Sequence, residues 1–264
     1  MLRTIIILVT CVCGLYARAC IADDLERTDQ VRQLNDGLVA YVTGDFLAAH
    51  GLLQPLAEQD VALAQLFLGR MYTEGNGVSI NCDRAVEYLT RAAEAGNADA
   101  AFDLALFAEN GRCSPKNESQ ALAWYELAAK NGDARAPNAI GVIYLGQGEI
   151  ARDLKKAAFW FRRGAKVFDA DAYYHLGEMY AAGQNAVKDP IEAYMWFYLS
   201  ASLSVPDQLY EPTIAAIARD KIREELMPGQ VADGERRALK LLSELLLQSK
   251  YHEPIATERI FPRE

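Results

Sequence analysis

The segment "LGRMYTEGNGV" (68–78) sets Gly75 and Gly77 two residues apart, a spacing with which backbone amides can cradle a phosphate. Such a site needs a strand before the loop and a basic residue after it. Other residue types also invite a chemical reading. The three histidines are His50, His175 and His252. None has a partner at metal-ligand spacing, and neither His-Glu-x-x-His nor Cys-x-x-Cys occurs. The acid pairs Asp23–Asp24 and Glu224–Glu225 fall near a terminus and on a late helix, where solvated charges are expected. Trp124, Trp160 and Trp196 would suit a sugar-stacking ladder if they faced water. No Gly-x-Ser-x-Gly elbow and no Ser-x-x-Lys pair is present. These residues predict no catalytic site, no cofactor and no bound metal.

Cys82 and Cys113 depend on where the chain resides. Residues 5–16, "IIILVTCVCGLY", form an unbroken apolar run behind Arg3, with Ala17, Ala19 and Ala22 as small residues before Asp23. This is the pattern of a secretory signal over 1–22, shorter than the roughly 20 apolar residues of a membrane span. Cleavage after Ala22 removes Arg3 and Arg18 and no acid, taking the formal charge from −9 to −11. So acidic a chain is a poor match for nucleic acid. Cleavage after Ala19 instead would expose Cys20 as a lipid anchor, although Arg18 and Ala17 fit that signal badly. The expected location is the periplasm, with secretion or an anchor at Cys20 as alternatives. Export removes Cys11, Cys13 and Cys20 and leaves an even pair, Cys82 and Cys113. A bridge closing that segment would stabilise the fold by about 3 kcal/mol on a chain-entropy argument. The two cysteines differ in repeat phase, so two unbonded thiols stay open as well.

The elements that must hold these residues follow from a 36-residue period. Ala64, Ala100, Ala136 and Ala172 share one phase, and Leu68, Leu104, Ile140 and Leu176 the next. Gly69, Ala105, Gly141 and Gly177 follow, then Tyr72, Ala108, Tyr144 and Tyr180. Past a loop come Ala85, Ala121, Ala157 and Ala193, then Tyr88, Trp124, Trp160 and Trp196. Within a unit the spacings are helical: 64, 68 and 72 step by four, and 85, 88, 89, 92 and 93 form one stripe. Small residues at fixed phases let helix axes approach. The glycines recur too, at Gly75, Gly111, Gly146 and Gly183. A loop that returns between helices is a helix terminus, where glycine takes the left-handed conformation without steric penalty, and not a phosphate cradle. The tryptophans share the phase of Tyr88 and are expected in the core.

This register resembles the Sel-one-like repeat family of tetratricopeptide-like α-solenoids. The family pattern is a small residue, Leu-Gly-x-x-Tyr, a glycine loop, then Ala-x-x-aromatic-aromatic-x-x-Ala-Ala. "AQLFLGRMYTEGNGV" (64–78) and "RAVEYLTRAAEAGNADA" (84–100) follow it closely. Departures occur at Ala105 and Ala108, at Gly164, and at Phe168 and Ser204, which stand where Gly96 and Gly132 close earlier units. The resemblance implies an all-α, right-handed solenoid of stacked antiparallel helix pairs. The boundaries read as follows: signal 1–22, a degenerate repeat 23–60, repeats 61–97, 98–133, 134–169 and 170–205, two longer capping helices within 206–250, and a flexible tail 251–264.

First helices of such arrays line a concave face. Carried over from tetratricopeptide arrays, the groove positions here are Arg70 and Glu74, then Phe102, Glu109 and Asn110. Arg135 and Asn138 follow in the third unit, Tyr174 and Glu178 in the fourth. Charges, amides and two aromatics suit a protein or peptide segment. The resemblance implies a non-enzymatic interaction scaffold, often an envelope regulator or host-interaction factor in exported members. Some cysteine-rich members have been credited with β-lactam hydrolysis; their phase-locked cysteine pairs are missing here. A structural assembly subunit is a third reading, one that concentration-dependent oligomers would reveal.

Overall fold

The computed structural model describes residues 28–146, 148–184, 188–204 and 213–250. The signal segment with Cys20, the Asp23–Asp24 pair and the tail with His252 lie outside them. Among the described residues there are twelve helices and no strand, and the helices pair in the all-α manner expected. Residues up to Asn97 form one compact unit and those from Ala98 another.

The first unit holds α1 (28–43), α2 (Phe46–Glu58), α3 (Ala62–Glu74) and α4 (Cys82–Glu94). Its core gathers Ala49, Leu53, Leu56, Ala57, Ala64, Leu68 and Met71, every one almost fully buried. Tyr41, Phe67 and Tyr88 pack around it. Arg91 of α4 reaches back across this core and donates to the Ala57 carbonyl and to Asp60.

The second unit holds α5 (Ala98–Asn110), α6 (Glu118–Lys130), α7 (Ala136–Tyr144), α8 (Leu154–Lys166), α9 (Ala170–Ala182) and α10 (Pro190–Leu203). It ends with α11 (Ile214–Arg223) and α12 (Pro228–Lys250). Trp160 and Trp196 are buried and Trp124 is half-buried, so they pack and offer no solvent ladder. Tyr194 and Phe197 of α10 meet Ile222 of α11, while Arg237 of α12 pairs with Glu192 at 2.7 Å. The capping pair therefore seals α10. Only α12 is long. The α11 helix has ten residues, because Thr213 caps it and the residue before Pro228 disfavours helix. Glu224 and Glu225 consequently sit in the turn after α11 and not on a helix.

Close approach explains the small residues. A Cβ on Gly69 would lie 2.6 Å from Leu89, and one on Gly177 equally near the ring of Phe197. Gly141 would strike Phe161 in the same way. Gly164 replaces alanine where a Cβ would lie 2.7 Å from that of Ala172. The loop glycines end helices as expected: Gly75 and Gly183 adopt φ of 79° and 67° and return their amides to the preceding turn. At the closing phase, Phe168 adopts a φ of 61°, in the left-handed region that Gly96 and Gly132 enter at 92° and 96°, so the turn survives with a strained residue.

A further regularity fixes each second helix. Asp45, Asn81, Asn117, Asp153 and Asp189 cap α2, α4, α6, α8 and α10, their side chains accepting an amide of the first turn. The amides of Asn81, Asn117, Asp153 and Asp189 donate to the carbonyls of residues 72, 108, 144 and 180. The loop between paired helices is pinned at both sides.

Candidate functional site

In the second unit the first helices α5, α7 and α9 carry six of the expected groove residues and a seventh, Arg135, precedes α7; these fall into separate places. Arg135, the residue preceding α7, lays its guanidinium 4.0 Å from the centre of the Phe102 ring on α5. It also pairs with Asp99 at 2.7 Å and with buried Asp133 at 2.5 Å. Arg135 is thus a strut between α5 and α7. Phe102 in turn meets Tyr125 edge-on, and the buried Tyr125 hydroxyl donates to Glu109 at 2.7 Å. Burial, and then the Glu109 carboxylate, pushes the Tyr125 phenol well above its ordinary range. Glu109 further lines a cleft of 440 Å³ with Lys116 and Glu118. Asn110 is exposed at the end of α5, and Asn138 keeps a buried Oδ1 without a hydrogen-bond donor among the described residues.

Tyr174 and Glu178 share a larger cleft of 760 Å³ bounded by the end of α7, by α9 and by α11. Tyr174 packs 5.5 Å from the Phe197 ring, which fixes it from behind. His175 stacks on Phe161 at 4.8 Å and places Nδ1 3.1 Å from Glu178. That contact holds the Glu178 carboxyl below the usual carboxylate range, against the opposing effect of burial. Burial raises the Tyr174 phenol, and the Glu178 charge raises it further. Arg152, Lys188, Lys221 and Glu225 complete the rim, with Lys188 and Glu225 paired at 3.6 Å.

Arg70 and Glu74 belong to the first unit. Arg70 sits 5.9 Å over Phe67, and Glu74 accepts from Asn76 at 2.6 Å. His50 of the same unit lies 3.2 Å from the Tyr72 hydroxyl, which also accepts from Arg84 at 2.7 Å. Cys82 opens α4 and so belongs to a helix, whereas Cys113 lies in the loop after α5 at a φ of 58°.

Sequence reasoning named Tyr174 and Glu178 among the expected groove residues, but not His175 or the cations that line the same cleft. One signal was available: Lys116, Arg152 and Lys188 recur at 36 residues, each just before a capping residue. Lys221 and Glu225 lie past the last repeat and have no phase to betray them. Among the described residues no three His, Cys, Asp or Glu side chains converge as metal ligands do, and no helix is long and apolar enough to cross a membrane.

A family model described as the Sel1 repeat matches this chain at residues 62–97, 98–133, 138–166 and 170–205. An uncharacterized protein of Neisseria meningitidis serogroup B is 32% identical over 111 residues, which cover 42% of this chain and 23% of that protein. A Sel1 repeat protein from Oxalobacter formigenes, known as a crystal structure, superimposes with a TM-score of 0.58 at 29% identity, covering 69% of this chain and 49% of the other. A protective antigen with an SLR fold from uropathogenic Escherichia coli strains is 22% identical, with a TM-score of 0.47 over 89% of this chain and 58% of that one. The chain spans about a quarter of the meningococcal protein and about half of the Oxalobacter one.

Proposed function

This chain belongs to the Sel1 repeat family, and from that premise we propose that it is a non-enzymatic scaffold that binds a partner protein on the first-helix face of its second unit. Sel1 repeat proteins are generally protein-interaction scaffolds, and the family is typically non-enzymatic. The observation that carries the reading is the 760 Å³ cleft, in which Tyr174 and Glu178 are held by Phe197 and His175. Side chains fixed from behind lose little freedom when a segment docks, so a preformed face lowers the ordering cost of binding. Arg135 does not meet the partner in this account, since Asp99, Asp133 and Phe102 already occupy it.

The apolar run at 5–16 supports export, with the envelope as the place of work. Export would let Cys82 and Cys113 form a bridge, in which case the mature chain takes up a thiol alkylating reagent only after reduction. Uptake by the unreduced, unfolded chain would remove the bridge from the account.

Photo-crosslinking in living cells tests the scaffold. A crosslinking residue at Glu178 should capture one defined protein, and Tyr174→Ala should abolish the capture. The same residue at Ser119, exposed on a second helix, should capture nothing comparable. Equal capture from both positions contradicts the reading. Turnover of cell-wall fragments or a β-lactam by the purified chain, lost on one substitution, would replace it with a hydrolase.

A further inference from the structure

The cations around the Tyr174 cleft are unusual for this molecule. The chain carries a formal charge of −9, yet Arg152, Lys188 and Lys221 converge on one opening. The acids there already have partners: Glu178 contacts His175, and Glu225 pairs with Lys188. Arg152 and Lys221 are exposed and form no ion pair among the described residues.

Helix electrostatics does not account for these charges. Arg152 and Lys188 immediately precede the caps of α8 and α10, Asp153 and Asp189. The positive end of a helix dipole disfavours a cation there. Their backbone positions are nevertheless fixed, because the amides of Asp153 and Asp189 are tied to the carbonyls of Tyr144 and Tyr180. Arg152 is also wedged against Gly146, where an added Cβ would lie 2.5 Å from its own. Two cations are thereby set on the cleft rim by the repeat, and Lys221 of α11 lines the same cleft. The rings of Tyr174 and Phe197 belong to its lining as well.

We propose that this cleft binds an acidic peptide segment, with carboxylates on Arg152 and Lys221 and an apolar side chain against Tyr174 and Phe197. The inference rests on the scaffold reading and names the chemistry of its partner. The volume lies within the usual range of ligand pockets, roughly 300–1,000 Å³, enough for a short stretch of chain and not for a folded surface. A carboxylate meeting a guanidinium or ammonium forms the stronger, charge-assisted class of hydrogen bond. A small dicarboxylate offers the same charges without the apolar contact, so the two sources can be told apart.

The test is fluorescence polarisation of the full chain with end-blocked, dye-labelled hexapeptides that alternate leucine with aspartate, asparagine or lysine. The aspartate peptide should bind about tenfold or more tightly than the asparagine one, as expected for two charged contacts. The double variant Arg152→Gln/Lys221→Gln should remove that preference, while Lys130→Gln on α6 should leave it. Glutarate should compete only weakly. Equal binding of the aspartate and asparagine peptides, a preference unchanged in the double variant, or glutarate competing as well as the peptide each overturns the inference. So does binding of none of these probes, and the scaffold reading is then still decided by capture at Glu178.

Discussion

At the scale of single residues the caps do more than their polarity suggests. Asn117 accepts the Gln120 amide at 2.9 Å while its own amide holds the Ala108 carbonyl at 2.8 Å. Removing the side chain in Asn117→Ala should destabilise the fold by about 1 kcal/mol in urea titration, and Ser119→Ala two residues on should change it little. This phase was present in the sequence but was missed, because either Asp or Asn fills it and an apolar period does not register them. His50 supplies a pH signature. Burial, and then the Arg84 charge, lowers its folded-state pKa below the value of about 6.5 expected in the unfolded chain. The unfolded state therefore takes up the proton first. Stability from this group is complete above about pH 6.5 and falls as the pH drops toward the folded-state value. Unfolding midpoints measured between about pH 5 and 8 should show that fall, and His50→Gln should flatten it.

Elements explain which glycines matter. Gly177→Val would drive a side chain into Phe197, and a loss of about 1–3 kcal/mol is expected. Gly51, within α2, has nothing within 4 Å of its missing Cβ. Gly51→Ala should thus raise stability by about 0.5–1 kcal/mol, the opposite sign for the same residue type. Thermal unfolding of both variants checks the contrast. Helix pairing was legible because alanine, leucine and the aromatics keep phase through four repeats. The closing phase was harder: Phe168 takes the positive φ of the turn without being glycine, so a pattern keyed to glycine loses it. The length of α11 was overestimated because apolar spacing continues past Arg223 to Leu226 and Met227, while Pro228 starts the next helix.

For the whole molecule, the helix pairs followed from periodicity and the family from the resemblance of that register, but the cleft followed from neither. Groove positions transferred by analogy assume that every first helix presents the same side to a partner. The packing departs from that assumption where Arg135 turns onto Phe102 and where α11 closes beside Tyr174. In the proposed reading specificity comes from where the repeat is broken, by Lys221 and Glu225, which line the cleft beyond the last repeat. On the proposed reading the partner docks at α9, the last first helix of the second unit. Hydrogen–deuterium exchange of the full chain, with and without the partner captured at Glu178, tests this most directly. Protection concentrated in α9 and α11 is the predicted result. Protection confined to the second helices α6 and α8, with α9 and α11 unchanged, would contradict it.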